Sequence, residues 1–160
     1  MAPRSCTRSL VATVALLVLT VPVMASPADS VDVRLDDVRW QNRPLLVFAP
    51  SAADTALARQ MELLRGHDEG FRDRDMLLLT VVGEGTSRLR QAPSGDGQPL
   101  TDTAVRRLRE RFDVPVDAFR VILVGKDGTE KRRQTEPVST RAIFDQIDAM
   151  PMRQREMRND

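Results

Sequence analysis

Leu45 to Ala49 is an unbroken apolar run bounded by Pro44 and Pro50, the pattern of a strand covered on both faces. Ser51-Ala52-Ala53-Asp54 follows it and reads as a capping box. The Ser51 hydroxyl would accept from a first-turn N–H, and Asp54 would reach back to the cap. Leu57, Met61 and Leu64 recur at i, i+4, i+7 and predict one apolar helix face, which Gly66 ends. Met76 to Val82 predicts a second buried strand. Gly83 to Pro99 is rich in Gly, Pro, Ser and Asp and reads as one long loop. Beyond it, Thr101 or Asp102 caps a helix with Val105, Leu108 and Phe112 inward and Arg106, Arg107, Arg109 and Arg111 on the other face.

Phe119 to Val124 predicts a third strand, and the turn Gly125-Lys126-Asp127-Gly128 joins it to a polar strand over 129–135 as a hairpin. Lys131, Arg132 and Arg133 would keep that edge from pairing with another chain. Pro137 precedes a last helix with Ile143, Ile147 and Met150 on one face, and Pro151 ends it. The first two strands must be parallel across a helical crossover, and the last two antiparallel. The fold class is therefore α/β, a mixed four-stranded sheet in the order β-α-β-α-β-β-α with helices on both faces. Trp40, just ahead of the first strong strand, is expected to pack over the core.

The ends divide the chain further. Arg4 and Arg8 precede an apolar stretch from Leu10 to Val23, and Val23-Met24-Ala25 resembles a signal-peptidase site. The reading is a signal peptide over 1–25, a leader over 26–36, the domain over 37–150 and a Met/Arg-rich tail over 151–160. Export to the periplasm or beyond follows, with no transmembrane helix in the mature form. Cleavage near Ala25 changes the chemistry. It removes Cys6, the only cysteine, and leaves 22 basic against 23 acidic residues, net −1. A cysteine-free domain in an oxidising compartment has no thiol nucleophile and no disulfide. The balanced charge argues against a nucleic-acid footprint.

The segments "WQNRPLLVFAPS" (40–51), "RDMLLLTVVG" (74–83), "RFDVPVDAFRVILVGKDGTEKRR" (111–133) and "IDAMPMRQREM" (147–157) carry a resemblance. Together they make the chain, from about Leu35 to Met157, similar to a family of uncharacterised thioredoxin-like or peroxiredoxin-like domains. These occur in exported bacterial proteins and in animal sushi-repeat and coiled-coil-domain extracellular proteins. The resemblance implies a thioredoxin-like fold outside the cytoplasm and brings no catalytic residues with it. Ser51 to Asp54 occupies the place where thioredoxins keep Cys-x-x-Cys, and Ala118-Phe119 stands where their third strand opens with proline.

Candidate chemistry is sparse. Ser51, Asp54 and Arg43 are ligand-binding candidates, because a helix N-terminus offers free N–H groups to an anion. Ser51 as a nucleophile would need a base, and the one histidine, His67, lies a helix length away. Met150, Met152, Arg153, Arg155 and Met157 are interaction candidates, since methionines suit adaptable contact surfaces. The arginines of the second helix and the hairpin cations are read either as solvated faces or as one basic patch. No metal site and no cofactor is read from the sequence. The expected function is a non-redox binding module for a protein partner or a small anionic ligand. The alternatives are a non-thiol enzyme at Ser51 and Asp54, or an accessory that borrows a partner's thiols.

Overall fold

The computed structural model describes residues 30–159, so the expected signal peptide, its expected cleavage site and the first residues of the stretch read as leader lie outside the described residues. Strand β1 (Arg43–Ser51) is followed by helices α1 (Thr55–Leu64) and α2 (Asp68–Asp73), then by β2 (Met76–Glu84). Short strands β3 (Arg88–Arg90) and β4 (Gln98–Pro99) precede α3 (Asp102–Phe112). The hairpin β5 (Arg120–Val124) and β6 (Glu130–Gln134) leads to α4 (Thr140–Asp148) and α5 (Pro151–Asn159). The sheet order is β4-β3-β2-β1-β5-β6, with β1 and β2 parallel and every other pair antiparallel.

The three apolar runs form the centre of this mixed α/β sheet, and period-two alternation divides their side chains between two cores. Leu46, Phe48, Leu79 and Ile122 face α3 through Leu108 and Phe112, with Val33 and Leu35 beside them. Leu45, Val47, Leu78 and Leu123 face α1, α2 and α4 through Leu57, Leu64, Phe71, Ile143 and Ile147. Leu45 to Ala49 is fully buried, as expected of a strand with helices on both faces. Buried polar groups fasten the layers. The Gln60 amide, 0% exposed, donates to the Val138 carbonyl at 3.0 Å and accepts from its N–H at 2.7 Å, joining α1 to the approach of α4.

The expected four strands are six. Within the stretch read as one loop, Leu89 pairs with Leu79 and Gln98 pairs with Leu89, extending the sheet beyond β2. Gly97 permits this hairpin, since a Cβ there would lie 2.9 Å from the Arg88 Cβ. Pro151 does end α4, but it also opens α5, because the first helical turn needs no N–H from its residue. The tail is therefore a helix. Val33 and Leu35, from the stretch read as leader, are buried, and Val31 bridges Leu100.

Two local expectations also change. Trp40 is 59% exposed rather than packed over the core, with φ at 68°; its N–H donates to the Lys126 carbonyl at 2.6 Å. The cap of α1 is Asp54, whose carboxylate accepts from the Leu57 N–H at 2.9 Å. Ser51 is still in the ladder opposite Glu84, and the Ala52 N–H donates to the Glu84 carbonyl, so the helix starts later than the capping box implies.

Candidate functional site

The ligand candidates Ser51, Asp54 and Arg43 fall at opposite ends of one strand. Eight residue steps separate Arg43 from Ser51, about 26 Å of extended chain. At the Ser51 end, Asp54 is committed to the α1 cap, and His67 packs edge-on against Phe144, 5.9 Å between ring centroids, at the far end of α1. Among the described residues the Ser51 hydroxyl has no side-chain partner. Below it, Arg109 donates to the carbonyls of Ala49 at 3.0 Å, Val81 at 3.2 Å and Pro115 at 2.7 Å. It forms no ion pair among the described residues, and burial pushes its pKa down. A cavity of about 300 Å³ between Gly83, Ser87 and Asp102 borders this end.

The Arg43 end is built from charge. Arg43 is 1% exposed; its Nη2 donates to both Glu156 oxygens at 3.0 and 2.9 Å, and its Nη1 to the Arg74 carbonyl at 2.9 Å. Lys126 Nζ bridges Glu156 at 2.8 Å and Asp75 at 2.7 Å. Burial pushes the Glu156 carboxyl up. The hydrogen bonds and charges of Lys126 and Arg43 outweigh that push and hold it below its ordinary value. Arg153, 5% exposed, donates to the Asp73 carbonyl at 2.8 Å and to its carboxylate at 2.6 Å. Arg74 pairs with Asp148 at 2.6 Å and lies over the Phe144 ring at 4.4 Å. Burial lowers the Arg153 pKa, but Asp73, Asp148 and Glu156 together raise it above the usual value.

A cavity of about 510 Å³ opens beside this network. One wall is the hairpin turn, with Gly125, Lys126, Asp127 and Lys131; the other is the α4–α5 corner, with Ala149, Met150, Pro151 and Met152. Arg43, Gln146 and Arg155 complete the lining. At Gly125 a Cβ would lie 2.5 Å from the Lys131 Cε and 2.7 Å from an Asp127 oxygen, so a larger residue would push these two side-chain ends off their present places on the cavity wall. Of the interaction candidates, Met150, Met152 and Arg155 meet at this cavity. Arg153 turns inward to Asp73, and Met157 is 45% exposed outside the lining.

The C-terminal end of α3 meets the hairpin, with Arg111 donating to the Gly128 carbonyl at 3.2 Å and Arg133 to the Phe112 carbonyl at 3.0 Å, but four of the cations read as a patch have carboxylate partners. Arg107 pairs with Asp32, Arg111 with Asp36, Lys131 with Asp127 and Arg133 with Glu130. Sequence reasoning missed Lys126, Lys131 and Gln146 as lining residues, and Glu156 as the partner of Arg43. The signal for Glu156 was its i, i+3 spacing from Arg153 on a helix opened by proline. Chemically, the lining holds four cations, one carboxylate and an apolar wall; Glu156 and Asp75 already pair Arg43 and Lys126, and Asp127 pairs Lys131, so among the described residues the uncompensated positive charge is on Arg155. That combination suits a bound anion. Among the described residues no three His, Cys, Asp or Glu side chains are placed to hold a metal ion.

A family model described as a domain of unknown function (DUF4174) matches residues 34–156. Coiled-coil domain-containing protein 80 of Danio rerio is 29% identical over 133 residues, 77% of this chain and 15% of that protein. Sushi repeat-containing protein SRPX2 of Xenopus laevis is 24% identical over 123 residues, 77% of this chain and 26% of the relative. Human sushi repeat-containing protein SRPX is 27% identical over 143 residues, 86% of this chain and 30% of its own length. The chain thus spans less than a third of each of these relatives.

Proposed function

We propose, from the premise that the chain belongs to the DUF4174 family, that it is an exported, non-redox binding module on a thioredoxin-like scaffold. Its binding seat is the 510 Å³ cavity at the Arg43 end of the sheet, and its ligand is anionic. The parallel β1–β2 unit joined through helices, followed by the antiparallel β5–β6 hairpin and α4, supports the scaffold. Export rests on the apolar stretch ahead of Ala25. No helix among the described residues is long and apolar enough to cross a membrane, which fits. With Cys6 removed, the domain has no thiol of its own.

One observation carries the binding reading: the cavity collects cations from β1, the hairpin and α5 while its second wall stays apolar. A pocket of this volume with a few convergent charges is the ordinary form of a small-ligand site. The test is a thermal-shift screen of the protein purified from the cell envelope, against carboxylates, phosphates and sulfates. A ligand at 100 times its dissociation constant adds ~2.7 kcal/mol. The shift is expected to vanish in the double variant Lys131→Glu, Arg155→Glu. A shift that persists in that variant would move the seat elsewhere, and the Ser51 end would be examined next.

A further inference from the structure

The two walls of the cavity differ in chemistry, and the difference specifies a ligand more narrowly than charge alone. On the α4–α5 corner, Ala149, Met150, Pro151 and Met152 present four consecutive residues without a charged or hydrogen-bonding side chain. The Met150 N–H is already bonded to the Ile147 carbonyl at 2.9 Å, and Pro151 has no N–H. The side chains of that wall offer no donor to a second polar group, the one backbone donor left among its last three residues being the first-turn N–H of Met152, and its two thioethers adapt to the shape of an aliphatic body.

The cations are not equivalent either. Arg43 is neutralised by Glu156, and Lys126 is shared between Glu156 and Asp75. Lys131 has Asp127 at 2.7 Å. Arg155 is exposed and has no ion pair or side-chain hydrogen bond among the described residues. The spare positive charge therefore lies on α5, on the same short helix that contributes Met152.

We propose that the ligand is a small amphiphilic carboxylate, its head at Arg155 with Lys131 in support and its aliphatic chain against Met150, Pro151 and Met152. This inference rests on the cavity being the binding seat, and it adds the ligand's second half. A bare anion would leave the apolar wall unused, and a neutral chain would leave Arg155 unpaired.

The experiment titrates the protein with acetate, hexanoate, octanoate and decanoate, with inorganic phosphate and octanol as controls. Trp40, the one tryptophan, whose backbone N–H donates to the carbonyl of the lining residue Lys126, supplies a fluorescence signal; amide chemical shifts locate the site. The expected result is affinity rising about four-fold per added methylene over part of the series. Shifts should centre on Met150, Met152 and Arg155. Octanoate should lose at least ten-fold in Arg155→Glu, and Met152→Ala should flatten the chain-length dependence; melting curves check that both variants fold. If acetate or phosphate binds as tightly as octanoate, the amphiphile is overturned and the anionic seat stands. If octanol matches octanoate and ignores Arg155→Glu, both proposals fall. Failure of the whole series, beside anions that still shift the melting of the wild type through Lys131 and Arg155, overturns this inference alone. Failure of every anion overturns both.

Discussion

At Ser51 the first strand ends among backbone groups that side chains satisfy: the Arg109 guanidinium spans the carbonyls of Ala49, Val81 and Pro115, and the Asp54 carboxylate closes the first turn of α1. At Arg43 the same strand begins inside a network of four cations and four carboxylates drawn from β1, α2 and its exit, the hairpin turn, α4 and α5. The first end is held by the Arg109 guanidinium and the Asp54 cap, with the Arg109 Nε and the Ser51 hydroxyl left without side-chain partners among the described residues. The second adds to the apolar packing of Phe71, Met76 and Ile147 a set of ion pairs between distant elements, and it leaves an open cavity beside them. A strand end that looks chemically interesting in isolation is thus the quieter one. The end that collects its charges from distant parts of the chain is the one beside which the larger cavity opens, and the proposed anion would meet the unpaired Arg155 there.

The comparison breaks first at Glu156. Glu156→Ala leaves Arg43 buried without its carboxylate and Lys126 with Asp75 alone, and is expected to cost ~3 kcal/mol in urea unfolding. An effect no larger than that of a surface substitution would mean the network contributes little. The pH dependence has a definite sign. The Glu156 pKa is depressed in the folded state, so its contribution is present above the ordinary value of 4.5 and is lost as pH falls through the folded pKa. The stability gap between wild type and Glu156→Gln should therefore stay constant near neutrality and narrow on acidification.

The Ser51 end responds to shape rather than charge. In Gly83→Ala the new Cβ would lie 2.6 Å from the Pro50 carbonyl oxygen and 2.7 Å from a Val116 methyl, and the loss should be ~2 kcal/mol, insensitive to salt. The smallest pair sharpens the comparison most. Asp54→Ala should cost ~1 kcal/mol as a lost cap, and Ser51→Ala less than ~0.5 kcal/mol. Reversal of that order would restore Ser51 as the cap.

Much of the fold is legible in the sequence because its central strands are covered on both faces, and continuous apolar runs such as Leu45 to Ala49 have few other uses. The additions are illegible for the opposite reason. Strand β3 is Arg88-Leu89-Arg90, three half-buried residues too short to show a period, and α2 buries Phe71 alone. Pro151 reads as a stop when its neighbours are taken singly, and as a start once α5 docks. Trp40 misleads because size suggests burial, whereas a positive φ and a backbone bond to Lys126 hold it at the surface. At the candidate site, the sequence points to Arg43, Met150, Met152 and Arg155 but places Arg43 with Ser51. The partners that decide otherwise, Asp75 and Glu156, are ordinary surface residue types whose roles depend on long-range docking.

The bond between Arg43 and Glu156 joins residues 113 positions apart. At a synthesis rate of about 5–20 residues per second, β1 exists for roughly 6–23 s before its carboxylate partner is made. During that interval the growing chain has its central strand but no counter-charge at its first residue. The latch between Arg43 and Glu156 therefore cannot close before α5 has been made, whatever the order in which the other elements dock.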